Sequence, residues 1–234
     1  MNNPKTLARM AGGLYLLVAV LGGWAQLVAR GAIHVRGDAA ATARNIVENE
    51  ALFRLSITAD VVMALVFTAL GLTLWRLLSA EGPRSSVAMM IFMAVGSGIV
   101  LVNLTFQVGA LVVATDAAPG AANDALALLL LDLHQYGYTL CGIFFGLWLL
   151  PVGLIAYRSD LFPKWLGVVV LAAGAIWLVD PILAFVLADV PQLVRDLIVA
   201  PTAVGEFTLV FYLLIVGVRR PVAAPVLSAR SSSR

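Results

Sequence analysis

Long apolar blocks, bounded by basic or turn-forming residues, dominate the chain. Six are long enough for a helix to cross a hydrocarbon core about 30 Å thick. They are Met10–Ala29, Leu52–Leu78, Val87–Val113, a stretch within Ala125–Tyr157, Trp165–Leu187 and Pro201–Val218. The pattern predicts an all-α integral membrane bundle of six transmembrane helices over residues 1–220. A disordered cytoplasmic tail rich in Pro, Ala, Ser and Arg is expected over residues 221–234. Lys5 and Arg9 precede the first block, which exceeds the roughly 7–15 apolar residues of a cleaved signal and so reads as a retained signal-anchor helix.

Two connections are more than turns. Asp38 is placed to cap a short helix over Ala39–Glu50 that leads into the second span. Ala188–Ala200, with Asp189, Pro191, Arg195 and Asp196 among apolar residues, is expected to form a short interfacial or re-entrant piece. Ser79–Ser86 and Arg158–Lys164 are tight connections, and no internal repeat is visible.

Composition agrees with a membrane protein: 62% of residues are hydrophobic and 12% charged, against about 45–50% and 25% in soluble domains. The net charge of +2 has no dense basic run beside aromatics, so nucleic acid is not an expected partner; the lipid bilayer is. Cys141 is the single cysteine, which rules out an intrachain disulfide and a cysteine-based zinc site.

Lys and Arg set the expected direction. With both termini cytoplasmic, Lys5, Arg9, Arg76, Arg84, Arg158, Lys164, Arg219, Arg220, Arg230 and Arg234 fall inside, and Arg30, Arg36, Arg44, Arg54 and Arg195 outside. Ten against five favours this topology over its reverse.

The candidate chemistry lies in polar residues within the apolar blocks. Asp60, Asp132, Asp180 and Glu206 would each cost roughly 2.5–3.5 kcal/mol at a helix centre, and less near an interface. Counting along each span places Asp60, Asn103, Gln107, Asp132, His134, Tyr138, Asp180 and Glu206 in the outer half of the membrane. One outward-facing pocket is therefore expected, with Arg54 at its edge. Asn103 and Gln107 share a helix face, as do His134 and Tyr138, and Thr202 and Glu206. Asp132 and His134 are two apart and could face one pocket only if a helix starts there, with Asp132 as its cap. Pro181, after Asp180, is expected to free a backbone carbonyl. Blander readings stand beside these. Asn103 and Gln107 read first as interhelical hydrogen-bonding residues, His134 suits a packing role equally, and Asp60 or Asp180 could pair with Arg54. Tyr136, Tyr138, Trp24 and Trp165 fit an interfacial aromatic belt.

Several stretches together carry a resemblance: Arg9–Leu16, Arg36–Ala43, Leu52–Leu55 with Ala59-Asp60, Leu131–Tyr138, Phe145–Trp148, Tyr157–Gly167, and Gly205-Glu206. The Asp-Leu-His run at residue 132 and the Tyr-Arg-Ser loop at residue 157 are the most specific. On these the chain resembles the bacterial multi-pass family of the domain of unknown function DUF4386 over nearly its whole length. The resemblance implies six helices and a bacterial plasma (inner) membrane, with no activity, cofactor or catalytic residue attached.

Three functions compete. Intramembrane carboxylates with a histidine point to binding or transport of an ion or small polar solute. Six helices without a repeat are few for a carrier unless copies form a homo-oligomer. The alternative is an intramembrane hydrolase acting on a lipid head group, in which carboxylates and His134 hold a metal; only His34 and His134 exist, which leaves no multi-histidine site. The third is a non-catalytic scaffold or sensor whose polar residues only fix helix packing.

Overall fold

A computed structural model describes residues 3–116, 120–187 and 190–219 of the chain. The expected tail at 221–234, Ala188 and Asp189 of the outer connection, and the Asp196 side chain lie outside the described residues. The described residues are mostly helical, with short connections and no strands among them. The helices are α1 (Pro4–Gly23), α2 (Arg30–Ile33), α3 (Ala39–Glu48), α4 (Glu50–Leu78), α5 (Pro83–Ala114), α6 (Ala121–Arg158), α7 (Lys164–Val186) and α8 (Gln192–Phe211). A π-helical segment, Trp24–Ala29, joins α1 to α2, and a second, Tyr212–Val216, ends α8. Among the described residues, six helices are long and apolar enough to cross a membrane, the first running unbroken over Pro4–Ile33. This is a multi-pass membrane protein.

Each span packs on the next, and α8 with its π-helical end returns to α1, so the six spans close into a ring. Large apolar side chains such as Leu65, Val102 and Val168 are left exposed on its outside, as a lipid-facing surface requires. The end from which α1 starts has a largely apolar interior, filled by Leu7, Leu74, Met89, Leu149, Leu166 and Leu213. Gly217 lies against Lys5 and Ala8 at this end.

Small residues set the closest contact. A Cβ placed on Gly146 would lie 2.7 Å from the Gly174 carbonyl, and one on Gly153 would lie 3.0 Å from that of Gly167. Gly146 and Gly153 are seven residues apart, as are Gly167 and Gly174, so each pair forms a stripe down one face. Helices associate this way in lipid, where no hydrophobic gradient drives them together.

The opposite end is capped by α3. Asp38 accepts from the Ala41 amide at 2.9 Å as the helix cap, in agreement with its sequence position. Thr42 and Asn45 bond back to the backbone of Val35 and Ile33, and Ile46 drops into a small apolar cluster with Phe53 and Leu131.

The structure bears on three local expectations. The helix α6 begins at Ala121, so Asp132 lies well inside it and caps nothing; the Ala/Leu-rich run after Gly120 sustains the helix beyond the apolar span. Pro181 lies inside α7, which continues past it, so it withholds a donor from the carbonyl one turn earlier without breaking the helix. The connection after α7 holds no separate piece, because α8 starts at Gln192 and runs through Pro201. Both prolines are tolerated in a bundle whose neighbouring helices support the spans.

Candidate functional site

The candidate polar residues fall into four arrangements, three toward the end capped by α3 and the fourth, at Glu206 and Tyr15, near the middle of the spans. The most enclosed centres on Arg30. The span from Pro4 continues to Ile33, so this arginine is drawn into the bundle and buried. Its Nη1 donates to Asp60 Oδ2, and it also reaches Gln107 Oε1 at 3.5 Å. Its Nε donates to Gln26 Oε1 at 2.8 Å, and its guanidinium sits 5.6 Å from the centre of the Tyr138 ring. Gln107 Nε2 in turn donates to Ser56 Oγ at 2.8 Å, and Gln26 Nε2 to Gln135 Oε1 at 3.1 Å. Four spans are thereby tied by one charge-assisted network, which offsets the cost of holding a carboxylate in hydrocarbon.

Beside it, Asn103 of α5 and His134 of α6 bind each other. Asn103 Nδ2 donates to the His134 carbonyl at 2.8 Å, and His134 Nδ1 lies 3.2 Å from both the Asn103 carbonyl and Nδ2. Gly137 makes this possible, since a Cβ there would overlap the Asn103 side chain. Arg30 Nη2 and His134 Nε2 are buried without protein partners, and Arg30 and His134 line a cavity of about 10 Å³. That is room for about one water.

Nearer the surface, His34 Nε2 lies 3.0 Å from Asp132 Oδ1, and Arg195 grips Asp180 with two bonds of 2.8 and 3.0 Å. His34, Asp132 and Arg195 border a polar cavity of about 270 Å³.

The fourth arrangement surrounds Glu206. Tyr15 of α1 donates its hydroxyl to Glu206 Oε2 at 2.6 Å, and Trp177 of α7 donates its indole N–H to Oε1 at 2.7 Å. This carboxylate stands on the wall of a cavity of about 390 Å³ with seven aromatic rings: Tyr15, Phe67, Tyr138, Phe145, Trp148, Trp177 and Phe207. The rings support one another edge to face, Tyr15 on Trp148 at 5.2 Å and Phe145 on Trp177 at 5.8 Å between centres. The cavity lies between α1 and α8. These elements meet at Gly12, where a Cβ would lie 2.8 Å from the Leu214 backbone, and the space between them further along is unfilled. Leu27, Ala203 and Phe207 on its rim are exposed, so it opens sideways toward lipid.

The sequence-predicted residues therefore divide. Asp60 and Gln107 meet through Arg30, Asn103 pairs with His134, and Tyr138 stands between the Arg30 network and the Glu206 cavity. Asp132 turns to His34 and Asp180 to Arg195. Arg54 is not at the pocket edge and pairs with neither Asp60 nor Asp180. It bonds Glu50 on the exposed surface at 2.6 Å, because six residues on a helix separate Arg54 from Asp60 by about 120°. Asp132 and His134 face apart for the same reason, two residues giving about 200°. Sequence reasoning missed Arg30, Gln26, Tyr15 and Trp177. Gln26 and Arg30, four apart at the end of an apolar run, carried a readable signal of a shared polar face. Tyr15 and Trp177 carried none, since an aromatic within a span reads as packing.

Among the described residues, no three His, Cys, Asp or Glu side chains come together to hold a metal ion. The metal-assisted hydrolase consequently lacks a donor set there.

Over a 43-residue stretch the chain is 42% identical to an uncharacterized protein of Archaeoglobus fulgidus. The match takes in 18% of the chain and spans about a quarter, 26%, of that relative. No solved structure matches the chain. A family model matches residues 10–217, so the chain belongs to the family described as Domain of unknown function (DUF4386).

Proposed function

We propose that the protein is a membrane-embedded binding protein for a small amphiphilic molecule, held in the aromatic cavity with its polar group at Glu206. One observation carries this reading: a single carboxylate on the wall of a cavity of about 390 Å³ that is otherwise mostly apolar. Ligand sites characteristically have 300–1,000 Å³ of mostly apolar lining with a few placed polar groups. The acids expected to form one ion site are divided among separate partners, and Asp60 and Asp180 are already paired with arginines. Asp132 turns to His34 at a separate, polar cavity, and Glu206, whose oxygens accept only neutral donors, is the acid on the wall of the aromatic one. The ion or small polar solute expected from the sequence thus narrows to a molecule with an apolar body. Tyr138 and Gln26 border the cavity and also contact Arg30, so the ionic network acts as a brace for its wall.

Purified protein in lipid nanodiscs, titrated with brominated amphiphiles, tests this reading. Trp148 and Trp177 line the cavity, so saturable quenching of their fluorescence is expected, and it should be lost in Ala203→Trp, which fills the space. Quenching that rises linearly with probe and persists in Ala203→Trp would mean bulk partitioning and no site.

A further inference from the structure

We infer that the molecule taken by this cavity is an organic cation, an ammonium bearing an aromatic or alkyl body. The inference rests on the binding reading above and names the chemical class of its ligand. Glu206 is the one charged side chain among the cavity's lining residues. A neutral ligand would leave that charge without a counter-ion in a low-dielectric site, whereas an ammonium neutralises it. Each carboxylate oxygen receives one hydrogen bond, from Tyr15 or Trp177, which fixes the group and leaves lone pairs for a second partner. Indole and phenol rings line the same space, and such rings attract cations most strongly when water is excluded. A cation already rests on one of these rings, the Arg30 guanidinium on Tyr138. Among the described residues, no Lys, Arg or His lines the cavity, so an anion would meet the charge of Glu206 with no cationic side chain to offset it. Sideways opening past Leu27 and Phe207 suits a cation whose apolar body partitions into the bilayer first.

The test compares benzyltrimethylammonium with neopentylbenzene, the neutral compound in which carbon replaces nitrogen. Both are titrated into wild-type protein in nanodiscs, with tryptophan fluorescence as the readout, and then into Glu206→Gln. The cation should bind at least about tenfold tighter than its isostere in wild type, and Glu206→Gln should erase the preference. Equal affinity for the two in wild type overturns the cation assignment while leaving an amphiphile-binding cavity intact. Saturable binding of neither overturns both. The wild-type comparison decides the question even if the glutamine variant fails to fold.

Discussion

Arg30 and Asp60, thirty residues apart in the chain, form an ion pair with both side chains buried between the first span and α4. The pair is stable there only as a pair. Removing one member strands the other charge in an apolar bundle, a change that costs roughly 3–5 kcal/mol in buried pairs, while apolar replacement of both is often neutral. Asp60→Ala and Arg30→Met alone should each lower the unfolding temperature in detergent sharply, and Arg30→Met with Asp60→Leu should recover most of it. Asp60→Asn, which keeps an acceptor but not the charge, should also be less stable than wild type. Equal losses in the double variant and the sum of the singles would show that the two residues do not act together.

The surface pair offers the contrast. Arg54 and Glu50 are exposed, and exposed pairs contribute about 0–1 kcal/mol. Arg54→Ala should therefore leave thermal stability within about 0.5 kcal/mol of wild type. Arg195→Ala, which strips a two-bond partner from the half-buried Asp180, should cost more.

Close approach of α6 and α7 makes a second packing prediction. Gly153→Leu places a branched side chain where a Cβ alone would lie 2.8 Å from Leu171 Cγ, so a loss of at least about 1–3 kcal/mol is expected. Gly13→Ala, with nothing within 4 Å of its Cβ, should be tolerated. Parallel thermal scans of the two variants check the difference.

Orientation follows from charge. The bias of Lys and Arg toward the end with both termini leads us to propose that this end faces the cytoplasm. A cysteine at Ser159, in a Cys141→Ala background, should resist an impermeant outside reagent in intact cells and react after lysis. Labelling in intact cells would invert the orientation.

How much of this was legible in the sequence depends on distance along the chain. The six spans follow from the length of apolar runs, and the α3 cap from Asp38, because both are local properties. Arg30 was misread as lying outside the membrane, since a basic residue ending an apolar run ordinarily marks a boundary. Its burial requires Asp60, a partner that only the packing of two helices supplies. Counting along a helix does not tell which way each acid faces relative to its neighbours, and those directions send Asp132, Asp180 and Glu206 to different partners. The cavity was illegible for the same reason. It is the space between α1 and α8, and no local pattern in Tyr15, Trp148 or Trp177 marks a residue as facing a void.

We propose that the space between α1 and α8 holds a small molecule against Glu206. An experimental structure in nanodiscs with 4-bromobenzyltrimethylammonium tests it most directly, because the bromine marks the ligand's position and direction. Ligand density is expected between α1 and α8, with the ammonium beside the Glu206 carboxylate and the ring against Trp148 or Trp177. A cavity closed by α1 packing onto α8, or ligand found only on the lipid-facing surface, would contradict it.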